Sequence, residues 1–152
     1  KVKYCKEILH FDECLNYKTE DIDKSLSSFG EDFIDMYFDN VGGEISDAVL
    51  NHISTFSRTA VCGQIANYNA SSPPVGPRVA RTLLTKQSLM QGFIVFNFEH
   101  KYPKAMSALS EWIKSGDIVY KEDIYKGFEN MPKTFMKLFE GENFGKLIVD
   151  IR

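Results

Sequence analysis

The chain has 152 residues, of which 43% are hydrophobic and 26% are charged, and its formal net charge at pH 7 is −3. This length and composition predict one soluble globular domain with a sizeable core. The slightly acidic balance, with no long run of Lys or Arg, argues against nucleic acid or an anionic membrane as the main partner.

Cysteine content and targeting signals indicate the compartment. The chain has three cysteines, an odd number, and none has Cys or His neighbours at the spacing of a zinc site. We therefore expect a reduced, cytoplasmic protein with no bound metal. No stretch of about 18 apolar residues could span a bilayer, and the first residues lack the apolar core of a signal peptide. The chain starts at Lys1, within an apparent helix, so we expect its natural start to lie further upstream.

Three elements are predicted before the centre of the chain. They are a surface helix over residues 1–9, a short strand over 13–17 and an amphipathic helix over 18–29. Thr19 is the predicted N-cap of the third element, and Gly30 is predicted to end it.

The stretch FIDMYFDNVGG at residues 33–43 is the centre of the predicted fold. An apolar run leads into two glycines, and apolar residues then recur at helical spacing as far as Ile53. This pattern predicts a buried strand, a tight turn and a helix. Ligands bind at the carboxyl ends of strands in open parallel sheets. Residues 39–43 are therefore the first candidate site.

The chain then continues to alternate between strands and helices. The predicted elements are a strand at 59–65, a polar loop at 66–77, a short helix at 81–88, a strand at 92–98 and a helix at 102–115. Such an order predicts right-handed βαβ units and a parallel sheet covered on both faces, as in a partial doubly wound, Rossmann-like α/β fold. After Gly116 the predicted elements are a strand at 118–125, a helix at 129–140 and a strand at 146–151, and these strands fit a different sheet.

Five segments, taken in order, resemble one family of enzymes. They are FDNVGG at 38–43, VCGQIANYN at 61–69, GFIVFN at 92–97, the helix around Trp112 that ends in SGDI, and GFENMPKTF with GENFGKLIV between 127 and 149. Together they resemble the zinc-independent medium-chain dehydrogenase/reductase family, of the prostaglandin reductase and NADPH-dependent alkenal double-bond reductase type. The match runs in family order over nearly the whole chain, which makes it more specific than any single motif.

The resemblance implies a domain organisation. Members of this family begin with a GroES-like catalytic domain and a first βαβ unit with a Gly-rich turn, and this sequence contains neither pattern. We therefore expect the C-terminal half of such an enzyme. Residues 1–116 are predicted to form part of an NADP-binding Rossmann domain, and residues 117–152 a segment whose strands return to the catalytic domain.

The resemblance also implies a site for NADP(H). Lys1 and Tyr17 fall where the family contacts the 2′-phosphate of NADPH, which suits a cation and a phenol donor. Asn40 matches the asparagine of the turn beside the cofactor. The other matched positions form a loop along the nicotinamide ribose, a strand that reaches the nicotinamide, and a late asparagine: Cys62, Gly63, Gln64, Ile65, Ala66, Asn67 and Tyr68; Phe93, Ile94 and Val95; and Asn143.

The activity implied by the resemblance is the reduction of α,β-unsaturated ketones or aldehydes, such as 15-oxo-prostaglandins or alkenals. Hydride passes from NADPH to the β-carbon, and the resulting enolate needs stabilisation and a proton. Tyr68 matches the family's active-site tyrosine and is the single predicted catalytic residue. Two alternatives stay open: a quinone oxidoreductase of the same superfamily, and a non-catalytic module that binds nucleotide or dimerises. We expect the chain by itself to be inactive.

Without the resemblance, the same residues have simpler interpretations. Lys1 would be a solvated helix lysine, Tyr68 a surface aromatic residue, Cys62 a small packing residue, and Asn40 a residue that tolerates a left-handed turn. The strand at 92–97 would lie inside a monomer, whereas the resemblance implies that it pairs with its own copy to form a homodimer.

Overall fold

The computed structural model of the protein describes residues 1–141 and 143–152. The chain folds into two compact units. The central unit is residues 15–100, and the terminal unit is residues 1–14 together with 101–152. Three parallel strands form the sheet of the central unit, and two parallel strands form that of the terminal unit.

Helices and strands alternate along the chain. In order they are α1 (Val2–Glu7), α2 (Ile22–Ser27), β1 (Ile34–Asp39), α3 (Gly43–Leu50), β2 (Ile53–Val61), α4 (Val79–Lys86), β3 (Leu89–Gly92), α5 (Tyr102–Ser115), β4 (Glu122–Lys126), α6 (Met131–Glu140) and β5 (Lys146–Asp150). Short 3₁₀ helices occupy Ile65–Asn67, Val95–Lys101 and Phe128–Asn130. All the helices of the described residues are too short or too polar to cross a membrane.

The central sheet brings three strand ends to one edge. Its order is β1-β2-β3, and its register places Asp39 opposite Val61, and Val61 opposite Gly92. Since all three strands run in the same direction, the loops that follow them emerge side by side. The predicted α/β fold, a partial Rossmann-like sheet, is confirmed.

One face of the central sheet carries the buried side chains. Asp39, Ser57 and Thr59 are at most 4% exposed and point to the same face, because register partners and alternate residues share a side. The opposite face carries Met36 and Phe38, which are 84% and 58% exposed. The prediction of a sheet covered on both faces is therefore wrong for these two residues in the described structure.

The predicted strand at 13–17 is wrong. Asn16 organises a turn there instead: its side chain accepts a hydrogen bond from Lys18 N at 3.2 Å, and its carbonyl accepts one from Glu20 N at 2.9 Å. Such local bonds by an asparagine compete with sheet pairing. The helix that follows begins after Asp21, whose carboxylate accepts from Lys24 N, so the N-cap is Asp21 and not Thr19.

The predicted strand at 92–98 is also wrong for most of its length. Pairing of β3 with β2 is followed by one further bond, from Phe93 N to Val61 O at 3.2 Å. Asn97 then closes a turn, since its Oδ1 accepts from Ile94 N at 3.1 Å and its own N–H donates to Ile94 O at 2.9 Å. In the sheet that the described residues form, β1 and β3 are the two edge strands, and a homodimer through 92–97 stays a prediction.

The terminal unit agrees more closely with its prediction. α5 spans the predicted residues, with Pro103 in its first turn and Gly116 at its C-cap in the left-handed conformation, at φ 83°. β4 and β5 pair with each other in a separate sheet, with Glu122 opposite Lys146. The predicted domain boundary at residue 116 stays a prediction.

Candidate functional site

The candidate site lies at the carboxyl edge of the central sheet. The turn after β1, residues 40–43, and the loop after β2, residues 62–68, meet there, and Phe93 follows β3. We call residues 40–43 the first turn and residues 62–68 the second loop.

A buried carboxylate holds the first turn. Asp39, the last residue of β1, is 1% exposed. Its Oδ1 accepts hydrogen bonds from Val41 N and Gly42 N, each at 2.9 Å. Its Oδ2 accepts from Ser46 Oγ of α3 at 2.9 Å and from Gln64 Nε2 of the second loop at 3.5 Å. One side chain therefore contacts the turn, the helix and the loop.

These hydrogen bonds determine the protonation of the Asp39 carboxyl group. Burial alone would raise the pKa of Asp39, but hydrogen bonds from Gly42, Val41, Ser46 and Tyr37 outweigh burial and hold this pKa below its ordinary value of 3.8. Burial raises the pKa of Tyr37 to about 12, and its contact with the charged Asp39 acts in the same direction. At neutral pH the pair is therefore a carboxylate and a neutral phenol.

Backbone hydrogen bonds join the second loop to the same place. The carbonyl oxygen of Asp39 accepts from Cys62 N at 2.8 Å and from Gly63 N at 3.1 Å, and Val41 O accepts from Ala66 N at 2.9 Å. Because donors at the start and the middle of the loop are used in this way, its backbone path is fixed by β1 and the first turn.

Two glycines permit this close packing. Gly42 has φ 69°, and the Gln64 amide lies where a Cβ on Gly42 would be. A Cβ on Gly63 would lie 2.9 Å from Asn40 O and 3.5 Å from Tyr68 Oη. Glycine at residue 63 therefore allows the second loop to lie close to the Asn40 carbonyl.

The second loop and the end of β3 line a common cleft. This cleft has a volume of 490 Å³, and its lining includes Cys62, Gly63, Gln64, Tyr68, Phe93 and Ile94. Tyr68 is 69% exposed, and its oxygen accepts a hydrogen bond from Gln64 N at 3.4 Å. Six of the predicted site residues are thus brought together. Val95 begins the 3₁₀ helix that follows.

A second cleft, of 710 Å³, is lined by the other side of the second loop. Ala66 and Asn67 lie in its lining together with Tyr17, Gly42 and Gly43. Four carboxylates also line it, and three of them have local partners: Glu20 accepts from Asn16 N at 2.7 Å, Asp21 caps α2, and Asp23 accepts from Asn51 and His52. The predicted phosphate contact at Tyr17 therefore lies in acidic surroundings.

Lys1 and Asn143 belong to the terminal unit. Both line a cleft of 290 Å³, in which Lys1 Nζ donates to Gly141 O at 2.7 Å. Lys121 lines it too, with its Nζ 4.3 Å from the centre of the Phe144 ring. Sequence reasoning did not single out Lys121, which carries no motif that marks it.

Sequence reasoning also missed the role of Asp39. It placed the first turn at the candidate site but assigned only Asn40 within it. An aspartate two residues before Val41 and three before Gly42 is placed to bond its side chain to the turn amides, as Asp39 does. The described residues contain no group of three His, Cys, Asp or Glu side chains that could hold a metal ion.

A parallel α/β sheet with clefts at its carboxyl edge is the architecture of nucleotide-binding domains. The chain belongs to the family described as zinc-binding dehydrogenase, whose model matches residues 9–149. The independence from zinc stays a prediction.

Individual relatives show which members of the family the chain is similar to. The chain is 48% identical over 154 residues to YfmJ of Bacillus subtilis, whose name describes an NADP-dependent oxidoreductase, covering 99% of the chain and 45% of YfmJ. It is 42% identical over 150 residues to the NADP-dependent 2-alkenal reductase of Nicotiana tabacum, covering 98% of the chain and 43% of that protein. The chain thus spans about half the length of these relatives, and the predicted resemblance is confirmed.

A solved structure has the same fold over nearly the whole chain. CurA from Vibrio vulnificus matches with a TM-score of 0.90 and 39% identity, covering 99% of this chain and 46% of CurA. The structure of CurA in complex with NADPH matches equally well.

The stabilisation that the ionised Asp39 provides can be tested by lowering the pH. Because the pKa of Asp39 is lowered in the folded protein, its carboxylate stabilises the fold above the ordinary value of 3.8, and this stabilisation is lost as the pH falls through the lowered pKa. We expect the full-length protein to melt at a higher temperature than Asp39→Asn at neutral pH, and this gap to shrink below pH 3.8. Thermal melts followed by circular dichroism across this range measure the gap.

The matched control is Asp12→Asn, at an exposed carboxylate, which should change the melting temperature little at any pH. A gap between the full-length protein and Asp39→Asn that stays constant with pH would contradict the ionised state of Asp39.

Proposed function

We propose that the whole protein uses NADPH to reduce the carbon–carbon double bond of α,β-unsaturated ketones or aldehydes. The observation that carries this proposal is the cleft at the carboxyl edge of the central sheet. It is lined by the exposed Tyr68 together with Cys62, Gly63 and Phe93. The proposed catalytic donor Tyr68, the backbone of the second loop and apolar residues therefore line the same cleft.

The prediction of NADP(H) as the cofactor is confirmed by the comparisons, which include relatives named as NADP-dependent and a structure of CurA with NADPH. The cleft suits this group on its own evidence. Its lining combines the backbone of Gly63 with Phe93 and Ile94, which offer apolar surface to a flat, uncharged nicotinamide ring.

The proposed cofactor contacts divide between the two units. In the central unit they are Tyr17, Asn40, Cys62, Gly63, Gln64, Ile65, Ala66, Asn67, Tyr68, Phe93, Ile94 and Val95. In the terminal unit they are Lys1 and Asn143.

Tyr68 is the proposed hydrogen-bond donor to the substrate carbonyl. When bound, NADPH supplies the hydride that reaches the β-carbon. The Gln64 N–H occupies a lone pair of the Tyr68 oxygen, which leaves the hydroxyl proton for donation and polarises the O–H bond. Negative charge grows on the carbonyl oxygen as the enolate forms, so this bond is stronger in the transition state than in the ground state.

Removing the Tyr68 hydroxyl tests its catalytic role. In the full-length protein, we expect Tyr68→Phe to lower kcat on a simple enone or 15-oxo-prostaglandin by on the order of 100-fold, because one donor to the developing oxyanion is lost. NADPH oxidation followed at steady state gives kcat and KM for the enone and for NADPH.

Tyr120→Phe is the control, since Tyr120 is an exposed tyrosine of the terminal unit outside the proposed site, and it should leave both constants unchanged. An unmodified enzyme that fails to reduce enones would reject the proposed function. Unchanged kcat in Tyr68→Phe would reject the role of Tyr68. A quinone tested in the same assay examines the alternative acceptor.

The proposed phosphate contact of Tyr17 predicts a change in cofactor preference. Tyr17 is 62% exposed in the 710 Å³ cleft, where its hydroxyl can donate to a dianionic phosphate. We expect Tyr17→Phe to raise KM for NADPH by about tenfold, the effect of losing one hydrogen bond to a charged group. KM for NADH, which lacks the 2′-phosphate, should not change. An equal effect on the two cofactors would contradict the contact.

A further inference from the structure

We propose that Asp39 is a positioning residue for the candidate active site: through Gln64, its carboxylate orients Asn67 and Tyr68. This inference rests on the proposed function of the cleft lined by Tyr68. Nothing in the family resemblance assigned a role to Asp39, and its 1% exposure keeps it out of contact with substrate.

The first observation is that one carboxylate serves both segments of the site. Oδ1 is bonded to two amides of the first turn, at Val41 and Gly42, and Oδ2 faces the Gln64 side chain. An ionised carboxylate only accepts hydrogen bonds, so every group that faces it must present a donor. The charge of Asp39 therefore selects which end of the Gln64 amide points inward.

The second observation is that Gln64 connects this choice to the cleft. Its Nε2 donates to Asp39 at 3.5 Å, and its Oε1 accepts from Asn67 Nδ2 at 3.2 Å. The backbone N–H of Gln64 donates to Tyr68 Oη at 3.4 Å. A single residue thus bonds to the carboxylate on one side and to both Asn67 and Tyr68 on the other.

Replacing the Asp39 carboxylate by an amide should reverse the orientation of the Gln64 side-chain amide. In Asp39→Asn the retained oxygen still accepts from Val41 N and Gly42 N, but the new NH₂ faces the Nε2 donor of Gln64. If Gln64 turns its amide over to avoid two facing donors, its NH₂ then faces the Asn67 NH₂. The mismatch is therefore passed from the buried carboxylate to the cleft.

The same logic identifies a variant that should rescue the defect. Gln64→Glu alone places two carboxylates face to face, which is unfavourable. In combination with Asp39→Asn, however, one oxygen of the new glutamate accepts from the new NH₂ of residue 39, and the other accepts from Asn67. The double variant also has the formal charge of the unmodified protein, so a change of net charge cannot explain its behaviour.

The test is a double-mutant cycle in the full-length protein, with kcat and KM measured for NADPH and a simple enone. We expect Asp39→Asn and Gln64→Glu each to lower kcat by about tenfold, and the double variant to return to within about threefold of the unmodified enzyme. Full kcat in Asp39→Asn, or a double variant no better than the single ones, would overturn the inference.

Ser46→Ala separates positioning from stability. It removes the bond that Ser46 of α3 donates to Asp39 Oδ2 at 2.9 Å and leaves the Asp39 carboxylate and Gln64 in place. We expect this variant to lower the melting temperature while kcat stays unchanged. If Asp39→Asn behaves in the same way, with a lower melting temperature and normal kcat, Asp39 has only a structural role. Should Asp39→Asn fail to fold, Gln64→Glu breaks the same contact through two facing acceptors, at a residue that is only partly buried.

A spectroscopic readout distinguishes failure of this inference from failure of the proposed function. The side-chain amide resonances of Asn67 should shift in Asp39→Asn and return in the double variant, whether or not the protein reduces enones. A shift that returns supports the positioning role even if the substrate class is wrong. Asn67 resonances that do not respond to Asp39→Asn would overturn it even in an active enzyme.

Discussion

The carboxylate of Asp39 is buried at the point where β1, the first turn, α3 and the second loop meet. Taking such a charge out of water costs several kcal/mol unless hydrogen bonds replace the lost hydration. Here two turn amides, the Ser46 hydroxyl, the Tyr37 hydroxyl and the Gln64 amide replace it. Each donor is thereby held in place, because removing any one leaves the charge less well compensated.

The position of this charge explains the shape of the candidate site. Parallel pairing aligns Asp39 with Val61 and Gly92, so the segments that follow the three strands start side by side. The Asp39 carbonyl then fixes the start of the second loop through Cys62 and Gly63. The second loop is therefore held beside the first turn before any ligand is considered. Preorganisation of this kind reduces the cost of binding and of stabilising developing charge.

Local signals made much of the fold predictable. The apolar run before Val41-Gly42-Gly43 correctly indicated a strand, a turn and a helix, and Pro103 and Gly116 marked both ends of α5. The site loops were recognisable through their similarity to known enzymes. The segments that failed were those in which one asparagine closes a turn, Asn16 and Asn97, because apolar composition does not reveal such bonds.

The structural role of Asp39 depends on tertiary structure. Which residues of β1 face the helices follows from strand pairing, and an isolated sequence does not show that residue 39 lies inside while Phe38 lies outside. Likewise, the Gln64 bond to Asp39 joins residues 25 positions apart. Sequence similarity located the second loop, but only the coordinates show what holds it.

The structure of the full-length protein with NADPH bound would test the central claim most directly. Our account predicts that NADPH lies across the carboxyl edge of the central sheet, in contact with the first turn and the second loop, with the Tyr68 hydroxyl beside the nicotinamide end and the Asp39 carboxylate still bonded to Gln64. Ordered NADPH at another surface, touching neither residues 40–43 nor residues 62–68, would contradict it.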